Sequence, residues 1–126
     1  MVTRFIAICL QPRQKSMGRI SYTTDLWSDQ HRASYIALTA HFIRRRPDNS
    51  LELRCELVAF HRMQGSHAGP KMAEVMIKLL DRLGATKKTG HWTVDGAASN
   101  WTFLKALEVI LNARGVEFDA KDRLIR

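Results

Sequence analysis

The sequence predicts an α/β fold built on one mixed sheet, and three observations lead there. Apolar residues alternate with polar ones in three successive stretches between Gly18 and His61. After Pro70 the spacing changes to three and four, which marks a helix. A short apolar run, a second helical stretch and a terminal "RLIR" then follow, giving the order strand-strand-strand-helix-strand-helix-strand. A chain of 126 residues is one domain's length and can bury a core of its own.

The elements follow in order. Met1 to Met17 carries Arg4, Arg13 and Lys15 without an acid and is interrupted by Pro12; it is either a leader or loosely attached arm, or an edge strand from Arg4 to Leu10. The domain proper is expected over residues 18–126. In "GRISYTTDLW", Ile20, Tyr22 and Leu26 alternate with Arg19, Ser21, Thr23 and Asp25. This is the first strand, with Asp25 near its end on the face opposite the apolar set. "SDQH" makes a turn. In "ASYIALTAHFI" the residues Ile36, Leu38, Ala40 and Phe42 share a face, and "RRRPDNS" closes a polar hairpin. A third strand runs from Leu51 to about His61, with Leu51, Leu53, Cys55 and Leu57 on one face.

Met72, Val75, Met76, Leu79, Leu80 and Leu83 form the stripe of an amphipathic helix. Pro70 suits its first turn and Gly84 its left-handed cap. "GHWTVD" reads as a short buried strand. Ser99 or Asn100 can cap a second helix with an inward stripe of Phe103, Leu104, Leu107, Ile110 and Leu111, ended by Gly115. "RLIR" is a fifth strand.

Short connections make the first three strands an antiparallel meander. A right-handed crossover through the first helix then returns the fourth strand parallel to, and beside, the first. That pairing brings Asp25 and Asp95 to the same end of strands ~4.8 Å apart, with carboxylates expected within about 4–7 Å. Two such acids suit hard divalent ions. The alternative reading is local: Asp25 ends a strand and Asp95 starts an Asx-type turn before Gly96.

Charge narrows the partners. Twenty Lys and Arg against twelve acids give +8. This favours a polyanion, nucleic acid before anionic membrane, or else reflects a basic surface that serves solubility. Cys9 and Cys55 form no metal or redox spacing, so a reducing intracellular compartment is expected. The six-residue run "FIAICL" is shorter than a secretory signal core and far below the ~20 apolar residues of a membrane span.

Three ordered segments, "ISYTTDLWSDQHRASYIALTAHFI", "LVAFHRMQGSHAGPKMAEVMIKLL" and "GHWTVDGAASNWTFLKAL", resemble the transposases of the hAT superfamily over roughly Gly18 to Arg126. The resemblance implies a ribonuclease H-like catalytic domain with strand order 3-2-1-4-5 and helices after strands 3 and 4. It also implies DNA as partner, a nuclear setting, and Mg²⁺ (or Mn²⁺) held by the aspartates of the D-x-W and T-x-D-N-A-S-N segments, here Asp25 and Asp95. Gly96 departs from the family pattern, which has Asn there. The family's third acid, a glutamate, and its Cys-x-x-His segment lie further downstream. Glu117, Asp119 and Asp122 match no catalytic position and read as solvated charges.

The expectation is therefore a partial transposase domain, with little activity alone because one carboxylate is missing. The competing reading is a domesticated, non-catalytic module that binds nucleic acid or protein. With only two helices, part of one sheet face should stay bare and favour marginal stability, self-association or docking of further transposase segments.

Other features carry less. Trp27 points to the Asp25 face and either packs over it or stacks on a base. Arg44, Arg45 and Arg46 either contact phosphates or form a soluble hairpin tip. "GSHAGPK" lacks phosphate-loop spacing and reads as a turn entering a helix. The five histidines show no ligand spacing.

Overall fold

A computed structural model describes residues 3–5, 16–28, 30, 31, 33–63, 69–95 and 98–125. The strands are β1 (Thr3–Phe5), β2 (Ile20–Ser28), β3 (Ser34–Arg45), β4 (Leu51–Met63), β5 (Thr89–Thr93) and β6 (Leu124–Ile125). The helices are α1 (Gly69–Leu83), α2 (Ala98–Ala113) and the single turn α3 (Ala120–Arg123), with a 3₁₀ turn over Thr86–Lys88. They form one sheet in the order β1-β4-β3-β2-β5-β6. The five predicted strands, β2 to β6, thus lie as 3-2-1-4-5, with the β2/β3 and β3/β4 pairs antiparallel and β2/β5 and β5/β6 parallel.

At the outer edge, β1 pairs antiparallel with β4 through Thr3 opposite His61. Ser16 bridges to Arg44, and the Met17 N–H donates to the Ile43 carbonyl. The rest of the predicted edge strand, from Ile6 to Leu10, lies outside the described residues, as do residues 65–68 of the "GSHAGPK" turn and Gly96.

Both helix ends close as the glycines predict. Gly84 and Gly115 take positive φ, 65° and 76°. Ala85 N–H then reaches the Leu80 carbonyl and Val116 N–H that of Leu111. This is the 6→1 bond of a Schellman motif. The β3/β4 hairpin turns through Asn49 at φ 69°, with the Asp48 carboxylate accepting from the Ser50 N–H and hydroxyl.

The core lies on one face of the sheet. Ile20 and Tyr22 of β2, Ile36, Leu38, Ala40 and Phe42 of β3, and Trp92 of β5 point there. They pack against Met72, Met76 and Leu80 of α1 and Phe103, Leu104, Leu107 and Leu111 of α2. The two helices meet each other closely at Gly69, where a Cβ would strike the main chain of Thr102 and Phe103.

The opposite face carries no described helix. Leu51, Leu53, Cys55 and Leu57 do share a face, and it is this open one; Leu53 is 74% exposed. The cause is a bulge. Leu38 pairs with Ala59 and Thr39 with Leu57, so Val58 is an extra residue in β4 and the in/out parity reverses across it. Glu52, Arg54 and Glu56 consequently sit on the helix side of the sheet, where they join an ion-pair cluster with Arg44 and Arg46.

Candidate active site on the open sheet face

Alternation along β2 decides what faces outward. Because Ile20, Tyr22 and Thr24 are buried and Leu26 packs on the core, Ser21, Thr23, Asp25 and Trp27 project from the open face. The Thr24 hydroxyl donates to the Ala37 carbonyl at 3.0 Å, which ties the stretch next to Asp25 to β3. On β5, Trp92 is fully buried while His91 is exposed.

The β2/β5 register pairs Tyr22 with Trp92 and Thr23 with Thr93 in parallel. Asp25 lies two residues past Thr23, and Asp95 two residues past Thr93. Both aspartates are exposed and stand at the carboxyl ends of neighbouring parallel strands. Crevices of open α/β sheets form at such strand ends.

Asp95 is held from α2. Asn100, buried in the first turn, donates its side-chain amide to the Asp95 carboxylate and, at 3.2 Å, to the Asp95 main-chain carbonyl. The sequence offers Ser99 or Asn100 as the cap of this helix. The helix instead starts at Ala98, and Asn100 clamps the acid that precedes it. Its place five residues after Asp95 is the signal that could have suggested this.

Next to Asp25, Thr23 Oγ1 and His41 Nε2 are hydrogen-bonded at 2.7 Å across β2 and β3. Beyond it, Trp27 stacks on Tyr35 (centroids 5.9 Å), and Phe60 packs against both at 5.4 and 5.5 Å. Trp27 remains 42% exposed, so part of its ring is open to solvent.

The arginine triplet is not brought to this place. Arg45 ends β3 eight residues from Ala37, the partner of Asp25, or ~26 Å along the strand. Arg44 and Arg46 are bound to Glu52 at 2.8 and 3.3 Å. Hydrogen bonds from Arg46, then Arg44, hold the Glu52 carboxyl down to about 2. Arg45 is exposed and makes a long contact to the Asn49 carbonyl.

Of the late acids, Asp119 caps α3 by accepting from the Lys121 and Asp122 N–H groups, while Glu117 and Asp122 are exposed. Among the described residues, no group of three or more His, Cys, Asp or Glu side chains could hold a metal ion. No described helix is long and apolar enough to cross a membrane.

The sequence is similar to those of known proteins. "Putative transcriptional regulator tpeD" of Talaromyces stipitatus is 28% identical over 111 residues, 82% of this chain and 13% of its own. "Putative AC transposase" and "Putative AC9 transposase" of Zea mays are each 27% identical over 83 residues, 66% of this chain and 10% and 9% of theirs. The chain thus spans about a tenth of the length of these relatives. No solved structure matches it. The profile of the ZBED1 RNase-like domain covers residues 23–120, which include both aspartates, most of β2 and the whole of β3 to β5. With that match and the 3-2-1-4-5 sheet, the chain belongs to the ZBED1 RNase-like domain family, a hAT-type ribonuclease H-like fold.

Proposed function

We propose that Asp25 and Asp95 are two carboxylates of a metal-dependent centre that cleaves and joins DNA phosphodiesters, acting in the nucleus as part of a transposase-type protein. The observation that supports this most is the register: parallel β2 and β5 carry the two acids past the same Thr23/Thr93 pair. Carboxylate oxygens are the hard donors that Mg²⁺ or Mn²⁺ prefers, so the donor chemistry fits. A bound ion would polarise a phosphoryl oxygen and activate water. The chain's own part is to hold the acids: β3 and β5 flank Asp25, and Asn100 orients the Asp95 carboxylate. Trp27, next along β2 on the same face, offers a ring for an unpaired base. Two carboxylates are fewer than such a centre uses, so the reading requires another ligand.

A second reading is a non-catalytic, transposase-derived module that binds nucleic acid or protein. Its support is the relative named a transcriptional regulator, together with the exposed apolar residues of the open face.

Mn²⁺ titration followed by NMR separates the two. On the first reading, Mn²⁺ selectively broadens amides around Asp25 and Asp95, and the D25N/D95N double variant abolishes the effect. Asn100→Ala weakens Mn²⁺ binding ~10-fold, because losing an orienting partner costs a ligand ~10–100-fold in affinity. Broadening that is unselective, or that survives D25N/D95N, favours the non-catalytic module.

A further inference from the structure

On the helix side of the sheet, far from the aspartates' face, a cleft of about 110 Å³ opens between β4 and α1. It is lined by His61, Val75, Lys78, Leu79 and Arg82. The four helix residues fall at successive i, i+3, i+4 and i+7 positions, which is one face of α1. Three of the five lining side chains can carry positive charge and none carries negative charge.

Lys78 and Arg82 stand four apart on the helix, where like charges repel. The two acids of α1 make their ion pairs with other residues. Glu74 is paired with Lys71 at 3.2 Å, and Asp81 is held by Arg114 at 2.8 Å and by the Thr86 hydroxyl at 2.6 Å. Among the described residues neither Lys78 nor Arg82 has an ion-pair partner. No acid occurs anywhere between Leu57 and Ala73 in the sequence, and β1, which places Thr3 beside His61, contains none either. Burial and the two cations together hold the His61 imidazole below its ordinary range, so the site already resists a third positive charge.

A larger cavity, about 330 Å³ near Arg19, Lys87 and Arg114, differs on both counts: Glu117 lines it and Arg114 is engaged by Asp81.

We propose that the His61/Lys78/Arg82 cleft is a binding site for a phosphoryl group. Its walls fit: Val75 and Leu79 close the apolar floor, Arg82 offers a planar fork and Lys78 a point charge for phosphate oxygens. The volume is that of between three and four waters at ~30 Å³ each, which suits a tetrahedral oxyanion. A dianion here would offset the Lys78/Arg82 repulsion and favour a protonated His61. The site is independent of the Asp25/Asp95 reading, since it lies on the other face and uses none of its residues.

The test is His61 itself, followed by imidazole NMR in the full 126-residue chain. Inorganic phosphate, added at constant ionic strength against chloride, should shift the His61 resonance saturably and raise its pKa, while exposed His91 follows the chloride control. Lys78→Gln and Arg82→Gln are exposed substitutions that leave the fold intact, and each should weaken the response ~10-fold. A parallel titration with a short DNA duplex assigns the source. If it also moves His61, with a response lost in R82Q, the phosphate is a nucleic-acid backbone; if only inorganic phosphate does, the ligand is a small phosphorylated molecule. A His61 response no larger than chloride's in both titrations, or one undiminished in K78Q and R82Q, overturns the proposal.

Discussion

The two faces of the sheet are built from the same strands yet carry opposite designs. Under α1 and α2, aromatic and aliphatic side chains are sealed away: Trp92 is fully buried, 4.8 Å from Tyr22 and 5.6 Å from Phe103 by ring centroids. On the open face a similar cluster of Trp27, Tyr35 and Phe60 sits with Trp27 42% exposed, and a row of leucines on β4 meets solvent. Aromatic contact alone therefore does not define the core. The difference lies in what covers each cluster, because an apolar group contributes to stability in proportion to the area it removes from water.

The largest expected effect breaks this comparison at its tryptophans. Trp92→Ala should cost ~3–5 kcal/mol in denaturant unfolding, as large-to-small changes in a sealed core do. Trp27→Ala should cost roughly half as much, because Trp27 is already 42% exposed and only its covered part is lost. Equal losses at the two sites would mean that the open face is covered after all.

A smaller effect probes the seam between the covering helices. Gly69→Ala places a methyl against the main chain of Thr102 and Phe103, which cannot rotate away as a side chain would. Overpacking of this kind costs ~1–3 kcal/mol. The unfolding midpoint should drop at an unchanged denaturant slope. An unchanged midpoint would show that α1 and α2 separate easily, and with them the distinction between the faces.

The smallest effect concerns the ion-pair cluster at the hairpin end of the helix side. Glu52 is lowered to about 2 from 4.5 by its bonds to Arg46 and Arg44. Its folded-state value is depressed, so its contribution to stability is present above about 4.5 and is lost as pH falls toward about 2. Carboxyl NMR should read the low value directly, and R46Q should bring it back toward 4.5. An unshifted Glu52 in the parent chain would remove the cluster as an explanation for charged residues on that side.

Most of the fold was legible because its signals are local. Alternation placed Ile36, Leu38, Ala40 and Phe42 inward on β3, and it placed Asp25 away from Ile20 and Tyr22. The bulge was not legible. Val58 looks like any other strand residue, and only its pairing partners reveal that it is extra. For the same reason the leucines of β4 could be grouped correctly without showing that they face outward. At the candidate site, Asp25 and Asp95 could be picked out by spacing and resemblance, whereas the Asn100 clamp and the Thr23–His41 contact depend on side chains meeting across elements.

By itself, then, the sequence determined the element order, the helix ends at Gly84 and Gly115, the hairpin at Asp48–Asn49, and the meander-plus-crossover that sets β5 parallel to β2. Each of these is a property of a few neighbouring residues: a period, a left-handed φ, a turn side chain, a connection length. Tertiary structure decided which face of each strand the helices cover. It also decided that Arg44 and Arg46 turn to Glu52 rather than to the Asp25 face, and that Lys78 and Arg82 gather beside His61 in a cleft with no acid among its described lining residues. Those outcomes come from competition among distant groups for the same burial and the same partners, which no local pattern encodes.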